Sequence, residues 1–138
     1  FLRQLVKRLG QPFIRTHHRL SVAGLMLIGL HPLSIIIDWG TSSVLLPKFD
    51  SVLSFLRWGG PPALYLLILA SLAALFRTTF KKSWRIIHIL NYVAFLLGTV
   101  HAILLGTDLS GNAALQIVVK AIAILMALAV VAVFIKKR

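Results

Sequence analysis

The feature that most constrains this chain is a series of apolar runs close to the length of a bilayer crossing. They occupy residues 16–38, 59–76, 84–105 and 113–135. A helix needs about 20 apolar residues to cross the roughly 30 Å hydrocarbon core, and the second run is the shortest of the series. Such runs are read as helices, because a helix satisfies its own backbone N–H and C=O groups where water is absent. Pro61 and Pro62 open the second run, where proline is tolerated. The chain is 59 % hydrophobic and only 13 % charged, with a mean hydropathy of +0.92, so it has too little polar surface to cover a soluble core. The expected fold is an all-α membrane protein. Residues 16–138 form a four-helix transmembrane bundle, and residues 1–15 an N-terminal interfacial amphipathic helix.

That first segment places Leu2, Leu5, Val6 and Leu9 on one helical face and Arg3, Lys7 and Arg8 on the other. A basic amphipathic helix of this kind lies in the membrane surface, and Gly10 and Pro12 are expected to end it. In the longest connection, residues 39–58, the stretch 52–58 is apolar enough to lie in the interface as well.

Fifteen Lys and Arg face three acids. The basic residues sit at the ends of the apolar runs, so membrane topology explains them and no nucleic-acid partner is expected. If the spans alternate, Arg3, Lys7, Arg8, Arg15, Arg19, Arg77, Lys81, Lys82, Arg85 and residues 136–138 share one side. Lys48, Arg57, Asp38, Asp50 and Asp108 share the other. The positive-inside rule then places both termini in the cytoplasm, in a bacterial inner membrane or its equivalent. Trp39, Trp58 and Trp84 read as interface anchors. Cysteine is absent, which removes disulfides, thiolate metal sites and iron–sulfur clusters.

Histidine is costly inside a span and usually faces a bundle interior or a cofactor. His17 and His18 stand at the inner end of the first span and His31 further along it; His88 and His101 bracket the third. The first and third spans run in the same direction, so each offers an inner and an outer imidazole. Two bis-histidine sites of this kind are the usual ligation of low-spin haem b. His17 and His31 are fourteen residues apart, which leaves them within about 40° on one face and about 21 Å apart along the axis. His18 would be about 140° out of phase, so His17 is favoured. His88 and His101 are thirteen apart and carry that same mismatch, so the third helix must be tightened, kinked or served by different rotamers.

Gly24 lies seven residues from both His17 and His31, and its bare backbone would let two flat macrocycles approach. Ala94 is the small residue midway along the third span. Close helix packing accounts for small residues equally well. Lys120 lies inside the fourth span, one turn from Gln116, where it would pair with an outer propionate, attract an anionic acceptor or snorkel outward. Each histidine also has an ordinary packing role open to it. The competing reading is thus a cofactor-free structural or anchoring membrane subunit.

The run His17-His18-Arg19-Leu20-Ser21, followed by Leu30-His31-Pro32, resembles the opening of the ferric reductase-like transmembrane domain. The run Trp84-Arg85-Ile86-Ile87-His88, ending at Val100-His101-Ala102, resembles its second ligand helix. The likeness covers about residues 15–106; Ser21 stands where that superfamily more often has Gly. It implies an inner haem b between His17 and His88 and an outer haem b between His31 and His101. It also implies electron transfer across the bilayer, from a cytoplasmic flavoprotein or quinol docked on the basic face to an external acceptor. Arg19 and Arg85, on the inner rim, are candidate partners of haem propionates. Members with their own reductase module continue into a flavin- and nicotinamide-binding region. No Gly-rich phosphate loop occurs here, so an FAD or quinone would belong to a partner.

Overall fold

The computed structural model describes residues 2–81 and 83–135. Lys82 and residues 136–138, which belong to the expected inner basic face, lie outside the described residues. So do the side chains of residues 2–9, and with them the apolar and basic faces expected there. Among the described residues 85 % are helical and none is in a strand, so nearly every backbone group is satisfied within its own segment. The chain divides into two compact units, Phe1–Val44 and Leu45–Arg138.

The first unit is built on α1, Leu2–Trp39, which is interrupted at Gly10 (φ 62, ψ −153). Only glycine reaches such a backbone without strain. The helix resumes at once, because Pro12 suits a first turn, and the Thr16 hydroxyl donates to the Pro12 carbonyl at 2.9 Å. Residues 11–15 therefore belong to the long segment, and the boundary expected at residue 15 moves back to Gly10. Pro12–Trp39, 28 residues, is long and apolar enough to cross a membrane. Pro32 has no N–H to offer the Ile28 carbonyl, yet the helix continues, and the Ser34 hydroxyl donates to the His31 carbonyl at 2.7 Å. Gly40 (φ 65) ends it in the left-handed conformation, its N–H donating to the Ile36 carbonyl at 2.9 Å.

The second unit begins with α2, Val52–Arg57, capped by Ser51, whose hydroxyl oxygen accepts from the Ser54 N–H at 3.0 Å. The rings of Phe49 and Phe55 stack at 5.6 Å, and the Lys48 ammonium lies 3.8 Å from the centre of the Trp58 ring. Then come α3, Gly60–Leu75, and the short α4, Arg77–Phe80. Next are α5, Trp84–His88, and α6, Leu90–Leu105, which together form a second stretch long and apolar enough to cross a membrane. The one-turn α7, Thr107–Ser110, leads to α8, Ala113–Ile135, where Asn112 caps the first turn by accepting from the Leu115 N–H at 3.0 Å. At 16 residues, α3 spans about 24 Å, short of a full hydrocarbon core unless the bilayer thins.

Within this unit α3 packs against α5 and α6, while α2 and α8 pack on α6. The buried hydrophobic residues are mostly small, Ala63, Ala70 and Ala73 on α3 and Ala94 on α6, with Leu109 on α7 at 9 % exposure. Ala70 is 0 % exposed, yet among the described residues no large side chain is fully buried. Leu72, Leu75, Ile86, Ile117 and Leu125 all point outward. A water-soluble core puts large apolar residues inside. Small residues inside and large ones outside suit helices packed in lipid, where close backbone approach rather than hydrophobic exclusion holds the pair. A Cβ added at Gly98 would meet that of Ala63 at 3.9 Å, and one at Gly59 would lie 3.2 Å from the Leu97 carbonyl. Ala94, one turn before Gly98, is on this packed stripe, so helix packing accounts for its size.

Candidate functional site

The expected irregularity of the third span lies one residue after its first histidine. Ile89 (φ −62, ψ −25) separates α5 from α6. Its N–H is shared between the Arg85 carbonyl at 3.3 Å and the Ile86 carbonyl at 3.2 Å, and its own carbonyl accepts from the Tyr92 N–H at 3.0 Å. These i→i−3 bonds are those of a 3₁₀ turn, which advances about 120° per residue where an α-helix advances about 100°. Each tightened residue recovers about 20° of the roughly 140° mismatch, so the turn reduces the mismatch without removing it. His88 reaches a carbonyl of α3 and His101 a carbonyl at the end of α2.

His101 makes the better-defined contact. Its Nδ1 lies 2.8 Å from the Arg57 carbonyl oxygen at the end of α2. A carbonyl only accepts, so Nδ1 carries the proton and Nε2 keeps the lone pair. The ring also rests on Gly60. A Cβ built there would lie 3.0 Å from Nε2 and 3.2 and 3.3 Å from its two bonded carbons. Such nearly equal distances put that point over the face of the ring and leave the in-plane lone pair of Nε2 clear of it. Gly60→Ala should therefore displace the imidazole. At the about 1–3 kcal/mol typical of overpacking, thermal unfolding in detergent should show a lowered midpoint.

His88 is held at the same atom. Its Nδ1 lies 3.3 Å from the Ala70 carbonyl oxygen on α3 and 3.0 Å from Asn91 Nδ2 one turn on, and its ring is 6.0 Å from that of Trp84. Both histidines are half-buried. Along α5 and α6 they stand about 20 Å apart.

In the first unit His17, His18 and His31 are all exposed, and the rings of His17 and His18 lie 6.0 Å apart. Within that unit a Cβ added at Gly24 would meet nothing within 4 Å. Arg19 is exposed on α1; Arg85 lies 5.5 Å from the Trp84 ring, a cation–π contact. Lys120 donates to Gln116 Oε1 at 3.3 Å, and Gln116 Nε2 donates to the Leu109 carbonyl at 2.8 Å. This chain of bonds draws the Lys120 ammonium towards α7, the direction snorkelling requires.

Among the described residues no group of three or more His, Cys, Asp or Glu could hold a metal ion. A haem iron asks for less, one imidazole on each axial side. The Arg57 carbonyl and the Gly60 cradle around His101 carry no motif in the sequence; the Gly59-Gly60 pair ahead of two prolines was the available hint of close approach.

A sequence family described as a domain of unknown function (DUF8596) matches residues 5–108, a stretch that contains all five histidines and ends before α8. No curated protein and no solved structure matches.

Proposed function

The chain belongs to the DUF8596 family, and on that premise we propose that it is a di-haem b-type membrane cytochrome, similar in plan to the ferric reductase-like transmembrane domain. The observation that carries this reading is the state of the histidines on α5 and α6. Each is fixed at Nδ1 by a partner from the protein, which orients the ring and directs Nε2 away from that partner. A second shell of this kind is what metal-ligating imidazoles require, since it sets tautomer, direction and basicity together. The glycine under the face of the His101 ring, which stays out of the plane of the Nε2 lone pair, fits the same role.

In this reading His88 and His17 hold an inner haem, and His101 and His31 an outer one. A bound haem supplies reversible one-electron exchange, which no side chain in this sequence can. The residues do the rest. With an imidazole from each of two helices holding each haem, the chain would leave an acceptor to be served at the cofactor edge. Gly24 leaves room beside the ligands of α1, and Arg19 and Arg85 offer guanidinium groups to propionates. In the same reading α3 and α8, whose exteriors are apolar, serve as the second and fourth spans beside the two long stretches, with both termini in the cytoplasm. The donor is a flavoprotein or a quinol on the basic inner face, carrying any FAD or quinone itself, and the acceptor lies outside.

The absorption spectrum of the purified protein is the decisive measurement. A Soret band and a reduced α-band of b type, at two haems per chain, are expected. A folded but colourless preparation from haem-sufficient cells would leave a cofactor-free anchoring subunit as the better description.

A further inference from the structure

Beside His88 lies a polar atom with no partner. Asn91 Oδ1 is buried and accepts no hydrogen bond, while Nδ2 of the same amide lies 3.0 Å from His88 Nδ1. The oxygen and nitrogen of an amide are alike in size and shape, so the surrounding network decides which one faces the imidazole. With Nδ2 facing it, His88 Nδ1 must accept. Its lone pair would then confront the Ala70 carbonyl oxygen, another acceptor, 3.3 Å away. With the amide turned, a proton on Nδ1 is shared between Asn91 Oδ1 and the Ala70 carbonyl, and two attractions replace one attraction and one repulsion. Turning exchanges an unpartnered acceptor for an unpartnered donor, so Nδ1 decides the matter. The other histidine of the same span shows the same solution, because His101 Nδ1 can only donate to the Arg57 carbonyl at 2.8 Å.

We propose that Asn91 is a positioning residue: its Oδ1 accepts from His88 Nδ1–H and so keeps the Nε2 lone pair of His88 available to a ligand. What that lone pair binds rests on the haem reading above; the tautomer does not. Asn91 also makes the two histidines unequal. His101 has a single backbone carbonyl as partner, whereas His88 has a carbonyl and a side-chain amide. An acceptor on Nδ1 makes an imidazole a stronger donor through Nε2, which favours ferric over ferrous iron. Asn91 thereby sets the potential of one site without touching the other.

The test uses the full chain, labelled with ¹⁵N-histidine, in lipid nanodiscs, with the His88 signals identified by their loss in His88→Gln. In the unsubstituted protein His88 should carry its proton on Nδ1, and a proton on Nε2 instead overturns the proposal. Redox titration then reads the consequence. Removing the acceptor with Asn91→Leu should weaken the preference for ferric iron about tenfold, a rise of about 59 mV for one electron, at one haem only. The near-isosteric Asn91→Asp, a stronger acceptor, should lower the same potential. Opposite shifts confined to one haem support the proposal. Equal shifts at both haems, or shifts of the same sign in the two variants, overturn it, since a general loosening would not invert its sign. Should the protein hold no haem, the cytochrome reading falls, and the His88 tautomer still decides the role of Asn91. Should Asn91→Leu fail to fold, the unsubstituted tautomer and Asn91→Asp remain decisive.

Discussion

Replacing His31 or His101 by alanine should each remove one of two haems per chain, and replacing both together should remove no more. The two residues belong to different units of the chain, so the agreement tests pairing rather than local damage. Partners at one iron are not independent. Once the first imidazole is lost the second has nothing left to contribute, and the double-mutant cycle shows a coupling as large as either single effect. His17→Ala combined with His101→Ala should behave oppositely, because the proposed pairing gives those residues to different irons, and both haems should go. Haem-to-protein ratio from the absorption spectrum is sufficient readout. If His31→Ala with His101→Ala instead loses both haems, the pairing is crossed; if neither single variant loses one, these histidines are not ligands. His18→Ala should leave both haems in place, since its phase relative to His31 is about 140° away.

The second large effect lies in the packing of α3 against α5 and α6, which holds His88. Ala70 is 0 % exposed and its carbonyl oxygen faces His88 Nδ1. Ala70→Leu would wedge α3 away from α5 and α6, because a small-residue interface has no cavity to receive three more carbons. Overpacking usually costs about 1–3 kcal/mol and sometimes more. Here the same displacement removes a partner of His88, so the haem held by His88 should be lost together with a lowered thermal midpoint. Leu72→Ala is the control. Leu72 is 45 % exposed on the opposite side of α3, and in lipid its truncation should change the midpoint by less than about 0.5 kcal/mol equivalent. If Leu72→Ala proves the more damaging, the large apolar residues are packed against protein and the lipid-facing assignment of α3 is wrong.

Much of the fold was legible from run length and punctuation. α8 begins and ends where the fourth run does, and α5 with α6 covers the third. Gly10 breaks the first helix as its lack of a Cβ allows, but Pro12 restarts it sooner than expected, because proline ends a helix from within and opens one from its first turn. For both histidines of the third span to face one partner, the thirteen-residue spacing asked for a tightened or kinked helix or for different rotamers, and the helix is tightened at Ile89. What the sequence could not display was the second shell. The Arg57 and Ala70 carbonyls are backbone atoms with no residue type to announce them, and Gly60 meets His101 across 41 positions of chain. Asn91 was visible one turn from His88, but its burial was not.

The turn at Ile89 does more than rotate a side chain. A 3₁₀ residue rises about 2.0 Å where an α residue rises about 1.5 Å, so tightening also lengthens. Each such residue adds about 0.5 Å to the about 20 Å between His88 and His101, towards the about 21 Å rise of the fourteen-residue interval from His17 to His31. In the proposed pairing, two scales with different divisions, thirteen and fourteen, are thus brought closer in length, as the two rules of a vernier are. Deleting one residue from α1 or inserting one into α6 would set the scales out by about 1.5 Å and about 100° at once. The spacing between its histidines should therefore tolerate substitution far better than it tolerates a change in count.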